Sequence, residues 1–329
     1  MQLKKPCKSI TYKVFCGGRG IRTPGGVTLN SFQDCRIRPL CHSSNNGCKY
    51  ILVFLCFKKT LQNIYSIFSK SFPMIKYYLF FSLSILFFFS CANKEIIPNY
   101  EEFVVGDNKL NYRILYPKNF DSSKIYPVKL FLHGIGERGN NNESQLTYVD
   151  KVFLNPKTYQ NFSSIVVFPQ APMNDNWSTV IRDNNKLFFP ENEPPTSSLN
   201  LVIKLMDSLT NENYVDRNRI YLSGLSNGGM GSFELLKHRP NMFASAVIIC
   251  GGGNPQWAKK FAKSTPVWIV HGSNDQDVNP YFSLKMAEAI IYEGGSPKVT
   301  FFENVYHNSW DFVFSDEEYL KWVYLHTRN

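Results

Sequence analysis

From Val128 onward the chain repeats one unit: a short apolar run closed by glycine or a polar turn, then a stretch with helical spacing. The runs are VKLFLHG (Val128 to Gly134), SIVVFPQ (Ser164 to Gln170), RIYLSG (Arg219 to Gly224), SAVIICGG (Ser245 to Gly252), PVWIVHG (Pro266 to Gly272) and KVTFFENV (Lys298 to Val305). They are continuous rather than alternating and too short for buried helices, so they read as strands covered on both faces. Between them, Leu199 to Asn213 places Leu201, Val202, Leu205, Met206 and Leu209 on one helical face. Gly228 to His238 is halted by Pro240, and Tyr281 to Glu293 stops at Gly294-Gly295. EEFVV and LNYRILYP, around the turn Gly106-Asp107-Asn108, predict an antiparallel opening pair. Strands alternating with helices from Glu101 to Asn329 predict one α/β domain with a mainly parallel sheet. The insert Ala171 to Ser197, rich in Pro, Asn and Asp, reads as a loop over the sheet edge.

The chain carries a formal net charge of +10, which invites a nucleic-acid reading. The charge is misplaced for that. Residues 1–73 hold 12 of the 36 Lys and Arg but only Asp34 among the 26 acids, which leaves the remainder nearly balanced. Nucleic-acid binding by the α/β domain is thereby disfavoured. Six of the eight cysteines also lie in that head. There Cys35, Cys41, His42 and Cys48 lack the close pairs of a zinc site, so no metal is expected. The head shows no sustained periodicity, and residues 1–73 are expected to be translated upstream sequence with no fold.

Met74 opens MIKYYLFFSLSILFFFSCANKE. Its apolar core, Leu79 to Phe89, is too short to span a bilayer comfortably and has the dimensions of a secretory segment. The ending Phe88-Phe89-Ser90-Cys91 resembles the lipobox of bacterial lipoproteins, with Phe88 where an aliphatic residue is usual. Residues 74–90 are thus expected to be a lipoprotein-type signal peptide, Cys91 the lipidated residue and 91–100 a tether to the domain at 101–329. The protein would be exported and held at a bacterial membrane, on its periplasmic or cell-surface side, by its lipid anchor alone.

The chemistry gathers where strands give way to loops, the place ligands take in open parallel sheets. Gly224-Leu225-Ser226-Asn227-Gly228 fits G-x-S-x-G between a strand and a helix, the setting of a nucleophile elbow. Glycines at 224 and 228 would relieve crowding, and Ser226 would sit at a helix N-terminus that favours developing negative charge. The plainer reading, Ser226 as a helix cap, requires no partners elsewhere. Partners exist in the required order, an acid and then a histidine. His307 follows the last strand and is the candidate base, and HGSNDQDVNP offers Asp275 and Asp277 as the acid. Spacing does not choose between them.

VKLFLHGIGERG, FPQAP followed by a tryptophan, DRNRIYLSGLSNGG, VWIVHGSNDQDV and YHNSWD together resemble the serine esterases of the α/β-hydrolase superfamily. The nearest group is the bacterial "predicted peptidase" and feruloyl or acetyl-xylan esterase-like proteins. The resemblance implies the α/β-hydrolase fold, helices on both faces of the sheet, Ser226 as nucleophile, His307 as base and Asp275 as acid. It places the oxyanion hole at the backbone N–H of Asn227 and that of Ile135, with His133 shaping the loop. It implies a carboxylic-ester hydrolase working through an acyl-enzyme, on acetyl or feruloyl esters of carbohydrate, with no cofactor. Trp177 and Trp310, in loops beside the site, are candidate substrate contacts through stacking on an aromatic acyl group or a sugar ring, against the more frequent role of packing over the core. Two other functions stay open at this point: a serine peptidase of the same fold, and a non-catalytic carbohydrate-binding surface lipoprotein.

Overall fold

The structure is a computed structural model and describes residues 96–183 and 186–328. Residues 1–73, the signal-type segment 74–90 and Cys91 lie outside the described residues. Among those described, the strands are β1 (Asn99–Val105), β2 (Asn108–Leu115), β3 (Tyr126–Leu132), β4 (Ile165–Gln170), β5 (Ile181–Asp183), β6 (Lys186–Phe188), β7 (Val215–Leu225), β8 (Ser245–Ile249), β9 (Val267–Gly272) and β10 (Lys298–Phe302). The main helices are α1 (Ser197–Leu209), α2 (Asn227–His238), α3 (Tyr281–Tyr292), α4 (Ser309–Ser315) and α5 (Glu318–Leu325).

Eight strands form one sheet in the order β1-β2-β4-β3-β7-β8-β9-β10. β1 and β2 pair antiparallel, as does β2 with β4, and every pairing from β4 to β10 is parallel. Side chains explain why the strand runs are unbroken. Leu130 and Leu132 of β3 enter a core shared with Val202 and Met206 of α1, Phe233 and Leu236 of α2 and Met286 of α3. Phe131, between them, faces the opposite way, into a second core with Val313, Tyr319 and Val323 of α4 and α5. Successive residues point to opposite faces, so a strand packed on both sides is mostly apolar, and a polar side chain buried there needs a partner, as Lys129 of β3 has in Ser223 of β7.

The helices form where expected, with small shifts. α1 begins at Ser197, where the Thr196 hydroxyl accepts from the Leu199 amide at 3.2 Å, and it ends at Leu209, short of Asn213. β7 is longer than expected, because Val215 pairs with Tyr126 beyond a register break. β1 starts at Asn99, inside the segment expected to be a tether, since Asn99 and Tyr100 already pair with Ile114 and Arg113. The insert is more than a loop. It carries the antiparallel pair β5–β6 and sends Trp177 into the core.

Topology fixes where a site can form. β3 lies between β4 and β7, so the connections leaving the carboxyl ends of β3 and β7 depart to opposite sides. Such a switch point opens a crevice at the sheet edge. Ser226 follows β7 at that crevice.

Candidate active site

Ser226 takes φ 54° and ψ −118°, a conformation a serine adopts only when its surroundings impose it. Its amide donates to the Ile249 carbonyl at 2.8 Å and its carbonyl accepts from Met230 at 3.0 Å, so strand and helix both grip the turn. Close approach explains the flanking glycines. A Cβ at Gly224 would collide with the Gly228 carbonyl, and one at Gly228 would collide with the carbonyl of Leu132 at the end of β3. The turn thus projects the Ser226 hydroxyl above the sheet at the start of α2, 8% of the residue remaining exposed.

His307 reaches it from the loop after β10, its Nε2 2.9 Å from the Ser226 Oγ. That loop is tied to the end of β9: the amides of Ser273 and Asn274 donate to Phe302 and Val305, each at 2.9 Å. The Nδ1 of His307 donates to Asp275 Oδ2 at 2.6 Å, which leaves Nε2 free to accept the serine proton. Asp275 is fully enclosed. Its Oδ1 accepts from the amides of Asp277 at 3.0 Å and Val278 at 2.9 Å, and its Oδ2 also faces His271 Nε2 at 3.1 Å. Since Nε2 of His271 also meets the Val278 carbonyl at 2.9 Å, that nitrogen bears the proton.

These contacts set the charges. Burial by itself would raise the Asp275 carboxyl, but hydrogen bonds from His271, His307 and the Val278 amide hold it well below the usual carboxylate range. Burial works against a charged His307, yet the Asp275 carboxylate that accepts from its Nδ1 prevails and raises it well above the usual imidazole range.

Ser226, Asp275 and His307 are therefore brought together in one line. Asp277, the other acid the spacing allowed, is exposed, and its recorded contact with Asp275 is through its backbone amide. Ile135 and Asn227 stand at the first positions of helical turns, where an N–H has no carbonyl one turn earlier to receive it. Gly134 lies so close that a Cβ there would sit 3.6 Å from the Cβ of Ser226. Both amides accordingly border the serine.

The two tryptophans are buried, and for Trp177 this is the packing alternative rather than substrate contact. Trp177 is fully buried, and its indole N–H donates to the His133 carbonyl at 3.1 Å, so it does not reach a substrate. The sequence placed it on a polar insert and gave no sign that the insert turns inward. Trp310 is 8% exposed and packs edge-on against the His307 ring, centroids 5.4 Å apart. Other neighbours had no sequence signal of their own. Cys250, at φ 49°, sits beside His307 with its Sγ 2.8 Å from Ser309 Oγ. The donor atoms of Cys250, His271 and Asp275 lie within 4.8 Å of one another, as do those of Asp275, Asp277 and His307. Of these, Asp275, His271 and His307 are already engaged in the hydrogen bonds above. His271 could have been suspected, being four residues before Asp275 at the close of a strand.

Residues 121–321 match the model of the phospholipase/carboxylesterase family. Over 84 residues the chain is 34% identical to the bifunctional acetylxylan esterase/xylanase XynS20E of Neocallimastix patriciarum, a stretch that covers 26% of this chain and 12% of that protein. Its structure is similar to that of a thermostable esterase, with a TM-score of 0.62 and 31% identity over 71% of this chain and 64% of the other. A ferulic acid esterase shares the fold, with a TM-score of 0.51 and 17% identity over 69% of this chain and 97% of that one. The chain thus spans a small part of the curated relative it matches, and under two thirds of the thermostable esterase. The sheet order, the parallel strands and these matches make the fold that of the α/β-hydrolases.

Proposed function

This chain belongs to the phospholipase/carboxylesterase family, and we propose that it is a serine ester hydrolase that works through an acyl-enzyme. The observation that carries the reading is the serine on its forced turn, 2.9 Å from a histidine whose other nitrogen is held at 2.6 Å by an enclosed carboxylate. His307 takes the Ser226 proton as Oγ attacks the ester carbonyl, and Asp275 stabilises the imidazolium that results. The carbonyl oxygen, now negative, is received by the amides of Asn227 and Ile135. His307 then gives its proton to the departing alcohol. A water molecule, activated by the same imidazole, releases the acid.

The acyl group in this proposal is acetyl or feruloyl, borne on carbohydrate. The acetylxylan esterase relative supports the acetyl choice. Ile135 and Tyr306, exposed apolar side chains beside the donor loop and the base, suit an apolar or aromatic acyl group. The experiment is hydrolysis of p-nitrophenyl acetate, methyl ferulate and acetylated xylo-oligosaccharides by the protein and by Ser226→Ala. Turnover that vanishes in the variant is the expected result, and turnover that survives it unchanged removes Ser226 from the mechanism. We further propose that the mature protein is anchored through a lipid on Cys91. Labelled palmitate should enter the wild-type chain and not Cys91→Ala, and equal labelling of both would refute the anchor.

A further inference from the structure

The two amides that would receive the oxyanion come from distant parts of the chain, Ile135 after β3 and Asn227 at the head of α2. Both must be held to a few tenths of an ångström, since such donors act at about 2.7–3.1 Å from the developing charge. The insert following β4 connects them. We propose that the segment Ala171–Thr179 is a clamp that sets the spacing of the two donors, with the side chains of Asn227 and Trp177 as its positioning residues.

On the α2 side, Asn227 Oδ1 accepts from the backbone amide of Trp177 at 3.0 Å. One turn later, Gly231 lets the insert lie directly on the helix, because a Cβ there would collide with the Cβ of Trp177. A further turn on, the buried Glu234 carboxylate accepts from Ser178 Oγ at 2.9 Å, the Thr179 amide at 2.8 Å and Thr179 Oγ1 at 3.0 Å. Three successive turns of the helix thus hold the segment.

On the β3 side, the Trp177 indole N–H donates to the His133 carbonyl at 3.1 Å, and the Ala171 amide donates to His133 Nε2 at 3.0 Å. Accepting at Nε2 fixes the proton of His133 on Nδ1, which donates to the Gly134 carbonyl at 2.6 Å. Burial, with Arg138 nearby, keeps this imidazole neutral by lowering it to about 4 against the opposing pull of the Gly134 carbonyl. From outside, the Arg138 guanidinium reaches three carbonyls: Ile135 at 2.9 Å, Met173 at 3.0 Å and Asp175 at 3.3 Å. The Gly139 amide closes the loop by donating to Ala171 at 2.9 Å.

A segment needed only for packing would have no reason to bond so specifically to the residues on either side of both donors. Trp177 is fully buried, and His133 and Asn227 are 1% and 6% exposed, so water does not compete for the bonds that join them. The inference rests on Ser226 being the acylated serine, because only then do these two amides have an oxyanion to receive.

The test compares Asn227→Ala, Trp177→Phe and the partly exposed Arg138→Gln, the last chosen because it disturbs no core. Amide hydrogen exchange over residues 133–139 is expected to accelerate about tenfold or more in each variant, the local-opening signature of a released loop. On an ester substrate, kcat is expected to fall ~10- to 100-fold, as when one oxyanion donor is misplaced, with KM within about twofold of wild type. The acid limb of the pH profile should stay in place, because His307 and Asp275 are untouched. Unchanged exchange at 133–139, or an unchanged kcat in the folded fraction of Asn227→Ala and Trp177→Phe, overturns the clamp. Exchange requires no turnover, so it judges the clamp even if Ser226→Ala shows the ester-hydrolase reading to be wrong.

Discussion

Asp275→Asn exchanges one oxygen for an NH2 group and should cost almost all activity. The two oxygens of Asp275 have different duties. Oδ1 accepts from two backbone amides, Asp277 at 3.0 Å and Val278 at 2.9 Å, while Oδ2 accepts from His307 Nδ1 and His271 Nε2. An asparagine has one acceptor to offer, and the two fixed amides claim it, so its NH2 group must point at the imidazoles. His307 can meet that donor only by presenting a bare Nδ1, which moves its proton to Nε2, opposite Ser226. The base then has no lone pair for the serine. His271 cannot adapt in the same way, because its Nε2 also serves the Val278 carbonyl at 2.9 Å. Loss of the correct tautomer in a Ser-His-Asp site lowers kcat about 10^4-fold, or ~5.5 kcal/mol of transition-state stabilisation. Initial rates on p-nitrophenyl acetate, with thermal melting to establish that the variant is folded, provide the measurement. Asp277→Asn is the control and should stay within about threefold of wild type, because the Asp277 side chain is exposed and, although near His307, is not the carboxylate that its Nδ1 meets. A folded Asp275→Asn within tenfold of wild type, or a large loss confined to Asp277→Asn, would refute the assignment of the acid.

The pH profile follows from the same contacts. His307 must be neutral to accept the serine proton, and the Asp275 carboxylate at its Nδ1 raises it. The acid limb of kcat/KM should therefore have its midpoint above the ordinary imidazole value of about 6.5, and a midpoint below it would contradict the geometry. Stability offers an independent check at Lys129, fully buried on β3 with the Ser223 hydroxyl 2.9 Å from its amine and the rings of Phe153 and Tyr319 beside it. Burial pulls this amine well below the usual lysine range, so the unfolded chain binds the proton more readily and folding loses stability as pH falls. Lys129→Met should raise stability by ~1–2 kcal/mol at neutral pH, with the gain shrinking as pH approaches the free-lysine value. Denaturant melts across that range test it, and a less stable methionine variant would mean that the amine contributes more than its burial costs.

What the sequence reveals here depends on whether a property is local. The parallel strands were legible because residues 165–168, and residues 128–132 apart from Lys129, are apolar on both faces, a pattern that survives in one dimension. The order of Ser226, Asp275 and His307 was legible because each follows a strand at the carboxyl edge. The choice between Asp275 and Asp277 was not, since it turns on which carboxylate is folded under the loop by the amides of residues 277 and 278. Trp177 shows the limit from the other side. It stands in a polar insert, yet Gly231, far away in sequence, opens the space that draws it inward. The Asn227 side chain was hidden for a related reason, as its partner is the backbone of Trp177 and no residue type marks that contact.

The enclosure of Asp275 also decides where a proton can travel. Its side chain is wholly shielded while that of His307 is 18% exposed, and every oxygen of the carboxylate is already occupied by a donor. The relay is closed at its acid end and open only at the serine. In the proposed mechanism a proton lifted from Ser226 cannot leave through the enclosed carboxylate, so it stays on the imidazole until the departing alcohol takes it. Catalysis in this arrangement conserves its proton, handing the same one from nucleophile to leaving group.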